Sequence, residues 1–578
     1  MRSFYLLPSV VRSAIITPTF PIAAVSCAST TSSATRGYRL FATSHSPTSL
    51  GQLRKPQAIS YEYALRLLNT LQSNRAIRSS VAQSPGDKNH NAIPEMLEWL
   101  RRAGYKPEDL AKAGLRFIHV AGSSGKGSVC VMVENMLLQY QQRNTKVGIP
   151  VGKIGLYTSP HLVTVRERVR INGSPISQDD FTRYFWELWT RFEHASATTK
   201  EGNALIGLTG NNAEARPGYF RFLTLLALHI FMQQGVRVAV IECGIGGEHD
   251  STNILPPEAV AVSAITKLEI DHIGMLGETI EDIAWHKAGI IKPRVPSFTT
   301  SQQPVASAVL RSRAAEKGSD ITFVPRLPAI HANNIELGLL GDFQKDNASL
   351  AVAITTSYLH QMGVTEGIPR LQEIANRDLK LPNEYIRGLE NVCWPGRCQI
   401  VKEGNIQWYI DGAHTHEGMQ AVATWFRSKM DEAFLQSNPP TAVMLIFNQD
   451  DRDGRPLLRS LLTDLKEKQG PVTYTRTFDH AAFCPNIPFA SSQSESVRDL
   501  SAQRELMEMY QSSGSTSSCQ LYGSVQDAVR FARRISDGEH QRVLVLVTGS
   551  LYLAGALLQN LSEQSTAKRV CGTSINRH

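Results

Sequence analysis

The sequence predicts a two-domain α/β protein, with a doubly wound N-terminal domain that contains a P-loop and a smaller, Rossmann-like C-terminal domain. Residues 116–120 have the pattern of a buried strand. A glycine-rich turn and an apolar helical stretch at 129–140 follow, which is the opening unit of a doubly wound sheet. Runs of β-branched residues at 236–241 and 259–266 predict further buried strands. Beyond residue 394 the strand and helix patterns alternate again, which indicates the second domain.

The remaining elements are predicted from periodicity and composition. Helices are expected at 61–71, 93–103, 220–232, 421–430, 525–535 and 551–561, and strands of the second domain at 406–410, 442–447 and 542–547. Polar stretches predict a loop at 194–217 and a surface excursion at 481–496. We therefore place the domains at 60–388 and 389–565, followed by a disordered tail at 566–578.

The positive charge of the chain is concentrated at its N-terminus. The net charge is +8, and residues 1–60 contain six Arg or Lys and no Asp or Glu, so +8 − 6 = +2 remains for the rest. This near-neutral body gives no reason to expect nucleic acid as a partner. An Arg- and Ser-rich, acid-free start predicts a mitochondrial transit peptide over 1–45 and a location in the matrix or at the inner membrane. A plain disordered tail is the alternative, and another start codon would give a cytoplasmic form.

The cysteines and the apolar runs exclude several classes of protein. The eight cysteines are scattered without a C-x-x-C pair, which is typical of reduced thiols and argues against disulfide frameworks and zinc sites. The longest apolar runs, 222–232 and 543–558, do not reach 18 clean residues, so no integral membrane span is predicted.

The strongest chemical motif is the glycine-rich turn after the first strand. Backbone N–H groups at such a helix start form a cradle for phosphates, and the motif includes Gly125 and Gly127. Lys126 would neutralise the β- and γ-phosphates, and Ser128 would be a ligand of Mg²⁺. The spacing departs from the usual motif, since Val120 stands at the first glycine and Gly127 separates the lysine from the serine. A chance glycine turn is the alternative.

Three later segments follow predicted strands and carry polar side chains. Glu242 ends a buried strand at the sheet edge where ligands bind, so it could hold Mg²⁺, or merely cap the next turn. His272 could be a metal ligand or a turn residue, and Lys287 on the next helix would usually be solvated. In the second domain, Asp411 could accept hydrogen bonds from a ribose and His414 could contact phosphate, although this segment also reads as a tight turn.

Taken together, the motifs resemble the folylpolyglutamate synthase family of the Mur ligase superfamily, over nearly the whole chain from residue 61 to residue 558. The segments that carry the resemblance are 115–128 (LRFIHVAGSSGKGS), 155–173 (GLYTSPHLVTVRERVRING), 220–229, 242–247 with Asp250 and 252–253, 271–279 (DHIGMLGET), 284–292 (AWHKAGIIK), 344–348 (QKDNA), 394–397 (WPGR), 411–414 and 547–551 (VTGSL).

The resemblance implies a role for each site residue. Residues 125–128 would bind the phosphates of ATP, and Mg²⁺ would be held by Ser128, Ser159, Glu242 and His272. Lys287 matches a lysine that is carbamylated in the superfamily. Gln344 and Asn347 would contact the adenine region, Arg397 and Asp411 would reach ATP from the second domain, and His414 would lie near the reaction centre. A monovalent cation such as K⁺ would be a further cofactor.

The resemblance also implies the reaction, which is the ATP-dependent ligation of L-glutamate to the γ-carboxylate of a folate by a monomeric enzyme. Dihydrofolate synthase, acting on dihydropteroate, and a non-catalytic nucleotide-binding homologue are the alternatives. Departures from the family pattern are Ser123-Ser124, where Thr-Asn or Thr-Lys is common, Cys243 for an apolar residue, Glu248 for Arg or Lys, and His286 for Glu. The change at Glu248 reverses a charge near the site.

Overall fold

The computed structural model describes residues 59–72, 91–142, 151–198, 216–331, 335–450, 453–467, 477–490, 499–513, 518–538 and 542–570. The predicted transit peptide at 1–45 and residues 571–578 lie outside these ranges. Within the described residues the chain forms two sheets, and each consists mostly of parallel strands, as expected for an α/β protein. The predicted fold class is therefore confirmed.

The first sheet belongs to the N-terminal part of the chain and contains eight strands in the described residues. Its strands are β1 (Arg116–Ala121), β2 (Lys153–Tyr157), β3 (Val169–Ile171), β4 (Ser174–Pro175), β5 (Val236–Glu242), β6 (Val260–Ile265), β7 (Ser297–Thr300) and β8 (Ile321–Val324). Their order is β4-β3-β2-β5-β1-β6-β7-β8, and only β3 and β4 run antiparallel to their neighbours. Since β1 lies between β5 and β6, the segments that follow these three strands meet at one edge.

Helices cover both faces of this sheet. They are α1 (Tyr61–Thr70), α2 (Ala92–Arg102), α3 (Pro107–Lys112), α4 (Lys126–Gln142), α5 (Gln178–Thr198), α6 (Tyr219–Gln233), α7 (Ile273–Leu276), α8 (Ile280–Ala288), α9 (Pro304–Glu316), α10 (Pro328–His331), α11 (Gln344–Gln361) and α12 (Asn383–Glu390). One apolar core packs α4, α11 and α12 on one face, and a second core packs α1, α2, α5 and α6 on the other. Both faces of β1 and β5 are therefore buried, which explains their continuous apolar runs.

The second sheet belongs to the C-terminal part and is smaller. Its strands are β9 (Gln399–Glu403), β10 (Ile406–Ile410), β11 (Ala442–Phe447), β12 (His480–Phe483), β13 (Ser518–Leu521) and β14 (Val543–Thr548), in the order β13-β12-β11-β14-β10-β9. Its helices are α13 (His416–Phe434), α14 (Arg455–Glu467), α15 (Ser501–Ser512), α16 (Val525–Gly538) and α17 (Leu551–Val570). Each face has its own apolar core.

Three predicted boundaries were wrong, each for a local reason. α4 begins at Lys126 rather than 129, because its first turn is Lys-Gly-Ser and carries no apolar residue. α5 extends to Thr198, so the predicted loop at 194–217 is helical at its start, and 199–215 lies outside the described residues. The strand β12 lies where a surface excursion from 481 was expected, since this strand is short and its neighbours are rich in Ser and Pro.

A loop at residues 158–164 follows β2 of the first sheet and contacts the second part of the molecule, and we call it the bridging loop. Glu167 fixes its shape, because its carboxylate accepts the N–H groups of Leu162 (2.8 Å) and Thr164 (2.7 Å). Leu162 packs against the core of the second sheet. A Cβ at Gly555 of α17 would lie 2.1 Å from the carbonyl oxygen of Leu162, so this contact depends on glycine at position 555.

In the described part of the chain, no helix is both long and apolar enough to cross a membrane. The six cysteines described there, Cys130, Cys243, Cys393, Cys398, Cys484 and Cys519, all carry free thiols, as the scattered spacing predicts.

Candidate active site

A glycine loop, residues 122–128, joins β1 to α4 at the carboxyl end of the first sheet. Gly122 has a positive φ of 146°, and a Cβ there would lie 1.8 Å from Thr266 Oγ1, so only glycine fits. The N–H of Ser123 donates to the Lys267 carbonyl (3.0 Å), which fixes the loop against the segment after β6. The N–H groups in the first turn of α4 have no acceptors within the helix, so the loop presents them together to an anion.

Helix α11 supports the glycine loop from the side. Asn347 lies so close that a Cβ at Gly125 would be 2.4 Å from its Oδ1. Gln344 donates to Ser128 Oγ (3.3 Å) and accepts from Asn347 Nδ2 (2.9 Å). All three polar side chains are buried. Gln344 and Asn347 therefore contact the loop itself, and their predicted contact with adenine stays a prediction.

Two lysines lie at the glycine loop. Lys126 Nζ donates to the carbonyl groups of Gly122 and Ser123, both at 3.1 Å. Lys287 on α8 is buried and donates to the same Gly122 carbonyl at 2.7 Å. Burial, and then the charge of Lys126, lower the pKa of Lys287 to about 7. Lys287 is therefore not the solvated lysine of the alternative interpretation, and near neutral pH a large fraction of it is an uncharged amine.

Glu242 ends β5 beside the glycine loop. A Cβ at Gly127 would lie 3.5 Å from Glu242 Oε2, and the same oxygen accepts the N–H of Ser159 from the bridging loop (3.0 Å). Burial raises the pKa of the Glu242 carboxyl, and the charges of Lys126 and Arg397 act against that rise. The structure thus brings Ser159, Glu242 and the glycine loop together, and their predicted roles as ligands of Mg²⁺ stay a prediction.

His272 stands in the left-handed region (φ 55°), and its Nε2 lies 3.4 Å from Asp271 Oδ2. Among the described residues there is no group of three or more His, Cys, Asp or Glu that could hold a metal by itself. Mg²⁺ typically takes one or two protein carboxylates and completes its octahedron with phosphate oxygens and water. One buried carboxylate, Glu242, beside an anion cradle therefore fits Mg²⁺ with a nucleotide better than an all-protein metal site.

Asp411 follows β10 and ties the second sheet to the segment that carries Arg397. Its Oδ2 accepts the N–H of Cys398 (2.7 Å) and its Oδ1 accepts the N–H of Ala413 (2.8 Å). Burial raises the pKa of the Asp411 carboxyl, against the attraction of Arg397. The charge of Arg397 opposes the rise that burial causes in the pKa of both Glu242 and Asp411, so its electrostatic influence reaches a carboxylate of each sheet.

His414 is held by the backbone of its own turn. Its Nδ1 lies 3.0 Å from the Gly412 carbonyl oxygen, which can only accept, so Nδ1 carries the proton. In the neutral ring Nε2 is then an acceptor, as a group that contacts a substrate amine would need to be.

Sequence reasoning missed a buried arginine and its histidine partner, which act near Glu242. Arg168 is 6% exposed, and its Nε donates to His161 Nδ1 at 2.9 Å. Arg168 also acts electrostatically on Glu242. Both residues stand in the 155–173 motif, but only the contact across the bridging loop indicates that the arginine is buried at the site.

Comparison with known proteins shows the family. The chain is 37% identical over 512 residues to folylpolyglutamate synthase of Saccharomyces cerevisiae, which covers 86% of each chain. The chain belongs to the folylpolyglutamate synthase family. A family model described as the C-terminal domain of dihydrofolate synthetase matches residues 397–560, which is the second sheet and its helices.

Solved structures of the folylpolyglutamate synthase family share the fold. The enzyme from Thermotoga maritima is 22% identical with a TM-score of 0.58, and the match covers 87% of this chain and 97% of that one. The Mycobacterium tuberculosis enzyme complexed with ADP is 21% identical with a TM-score of 0.60, covering 89% and 99%. Both likenesses extend over both sheets, so the two-sheet architecture is that of the family.

Two of the departures from the family pattern, Glu248 and Cys243, have partners within this chain. Glu248 Oε2 accepts from Arg313 Nη2 (2.6 Å) and pairs with Lys317 (3.1 Å), both on or next to α9. The reversed charge is thus compensated at a helix outside the glycine loop. Cys243 is buried, with its Sγ 3.1 Å from His119 Nε2, and burial raises its pKa well above the usual range. Its thiol is therefore a packing group.

Proposed function

We propose that this protein is an ATP-dependent tetrahydrofolate:L-glutamate γ-ligase, ADP-forming, which extends folates with glutamate and so retains them for one-carbon metabolism. The observation that carries the proposal is the glycine loop with Lys126 and Glu242 beside it, together with the charge of Arg397, from the segment before the second sheet, acting on Glu242. Membership in the folylpolyglutamate synthase family supports the choice of substrates.

The first step is phosphoryl transfer. An oxygen of the folate γ-carboxylate attacks the γ-phosphorus of ATP, the bond from that phosphorus to the bridging oxygen breaks, and ADP leaves with the electron pair. A carboxylate oxygen cannot leave as O²⁻, so this acyl phosphate provides the leaving group. Lys126 and Arg397 neutralise charge on the transferred group, and the N–H groups of α4 orient it.

The second step forms the amide. The amine of L-glutamate attacks the acyl carbon, a tetrahedral intermediate collapses, and the carbon–oxygen bond to phosphate breaks. The amine loses a proton, which His414 Nε2 is able to accept, since Nδ1 is held as a donor. The bridging loop packs on the second sheet through Leu162 and reaches Glu242 through Ser159, so it would help to exclude water, which otherwise hydrolyses the acyl phosphate.

The cofactors of the proposed reaction follow from the same residues. Mg²⁺ supplies charge neutralisation at the phosphates when bound, and Ser128, Ser159, Glu242 and His272 would hold it. The low pKa of Lys287 leaves an amine that can add CO₂ and release a proton, giving a carbamate. A carbamate resonance in ¹³C NMR after exchange with labelled bicarbonate, absent in Lys287→Arg, tests this. K⁺ belongs to the proposal as a further cation, tested by its effect on the rate of ligation.

We place the enzyme in the mitochondrion, in the matrix or associated with the inner membrane, with a cytoplasmic form from another start codon. The acid-free, Arg-rich residues 1–45 support this location. Folates, L-glutamate and ATP are the proposed partners, and the proposed oligomeric state is a monomer. Fluorescent fusions with and without residues 1–45 test the targeting, and light scattering tests the mass.

The decisive experiment is a ligation assay with residues 43–578, MgATP and labelled glutamate, with tetrahydrofolate or dihydropteroate as acceptor. We expect glutamate to be added to tetrahydrofolate and not to dihydropteroate. Dihydropteroate is included as an acceptor because residues 397–560 match a dihydrofolate synthetase domain. Activity on dihydropteroate alone would reassign the substrate. ATP binding by the folded protein without ligation of either acceptor would leave a non-catalytic homologue.

A further inference from the structure

Trp394 lies against the glycine loop. A Cβ at Gly127 would be 3.2 Å from the indole Nε1 of Trp394 and 3.5 Å from Glu242 Oε2, so the ring and the carboxylate flank the same point of the loop. The ring packs on the core of the first sheet. Trp394 also opens the segment that leads into the second sheet at β9. Its side chain therefore fixes the start of that segment to the glycine loop.

Arg170 of β3 supports the indole ring. Its guanidinium carbon lies 5.6 Å from the centroid of the Trp394 ring, within the range of a cation–π contact. Arg170 also donates to the carbonyl of Gly173 in the β3–β4 turn. The arginine therefore joins strand β3 of the first sheet to the segment that enters the second.

Glu134 anchors Arg170 to helix α4. Its side chain is fully buried, and its Oε2 lies 3.4 Å from Arg170 Nη2. Burial raises the pKa of Glu134 to about 7, against the attraction of Arg170 and a hydrogen bond from the backbone of Gly173. A buried carboxylate with a single ionic partner is costly, which indicates a purpose beyond packing. Glu134 is seven residues, about two turns, after Gly127, so α4 reaches Trp394 both directly and through Arg170.

Arg397 stands three residues after Trp394 and acts on Glu242 and Asp411. We propose that Arg170 and Trp394 are positioning residues, which hold the segment 394–397 against the glycine loop so that Arg397 meets the γ-phosphate during acyl phosphate formation. The inference rests on the proposed ligase function. The contact of Arg170 with Trp394 joins the two halves of the molecule. Its loss therefore changes the placement of Arg397 more than it changes the binding of ATP to the glycine loop.

The test uses steady-state kinetics of the full-length protein with Arg170→Met, which keeps the length of the side chain and removes its charge. We expect kcat to fall roughly tenfold while KM for ATP changes less than about threefold, as for a misplaced transition-state contact. Arg170→Lys keeps a cation and should recover most of the rate. Arg183→Met is the matched control, because exposed Arg183 makes a cation–π contact with Tyr184 of helix α5, on an element that takes no part in the proposed contact.

A double-mutant cycle with Arg397→Lys separates positioning from general stability. If Arg170 acts through Arg397, Arg170→Met lowers kcat much less in the Arg397→Lys background than in the native one. Equal effects in both backgrounds, or an equal fall in Arg183→Met, would overturn the inference. If Arg170→Met does not fold, the variants Trp394→Phe and Trp394→Leu test the inference instead. Only Trp394→Leu removes the aromatic ring, so only that variant should lower kcat. Absence of ligation by the native protein overturns the proposed function as well, whereas full activity of Arg170→Met overturns the inference alone.

Discussion

The contact between Gly555 and the bridging loop gives a quantitative prediction for Gly555→Ala. In a free helix this change would stabilise the protein by roughly 0.5–1 kcal/mol. Here the new Cβ would lie 2.1 Å from the Leu162 carbonyl oxygen, against an ordinary carbon–oxygen contact of roughly 3.3 Å. The two backbones must therefore separate by about 1 Å. Such overpacking costs about 1–3 kcal/mol, so we expect a net loss of about 0.5–2 kcal/mol.

The rate should fall further than the stability, because the bridging loop also carries Ser159, whose N–H holds Glu242. A displacement of about 1 Å at such a site costs on the order of 10²-fold in rate, so we expect a fall of roughly 10- to 100-fold in kcat. Urea unfolding and the ligation assay measure the two effects. Gly538→Ala is the control, since a Cβ there meets nothing within 4 Å. Native kcat and unchanged stability in Gly555→Ala would refute the reasoning.

Three further predictions concern charged groups. Lys126→Ala should lower kcat on the order of 10²-fold or more with unchanged circular dichroism, and a smaller change would remove Lys126 from the transition state. The folded pKa of Lys287 is about 7 against an ordinary 10.5, so its burial destabilises the fold fully below pH 7 and less as pH rises toward 10.5. The stability gained by Lys287→Met in urea unfolding should therefore be larger at pH 6 than at pH 9, and a constant difference would contradict the shift. Glu248→Lys should lower the free energy of unfolding by about 1–3 kcal/mol, because Arg313 and Lys317 then face a cation. Thermal melts measure this, and kcat should stay near native, whereas a large fall in kcat would place Glu248 at the reaction.

The parts of the site that could be predicted are those that are contiguous in sequence or follow from topology. The glycine loop is one run of residues between a strand and a helix, and Glu242 stands at a strand end, where parallel sheets place their ligands. These positions need no knowledge of distant neighbours. The structure puts both where the sequence predicts them.

The parts that could not be predicted depend on contacts between distant segments. Asn347 fits against Gly125 across 222 residues, and nothing near either residue specifies that contact. The sequence alone suggested that the reversed charge at Glu248 would affect the site. Its partner Arg313 lies 65 residues further along the chain, so the compensating ion pair could not be predicted. Helix α5 was missed although its sequence carries the helical period. Its buried residues follow the i, i+3, i+4, i+7, i+8, i+11 pattern, and they are Phe181, Tyr184, Phe185, Leu188, Trp189 and Phe192.

The position of β1 in the middle of its sheet has a consequence for how the protein is made. Its residues pair with Val238 and its neighbours on one side and with Val262 and its neighbours on the other, more than 100 residues later. A nascent chain that ends before β5 has therefore made the glycine motif but no sheet edge to hold it. Such distant pairing slows folding, and domains usually form in the order of synthesis. The nucleotide site should thus appear only after β6, which ends at Ile265 of 578 residues, has emerged from the ribosome, and ATP-protected proteolysis of stalled chains would reveal that step.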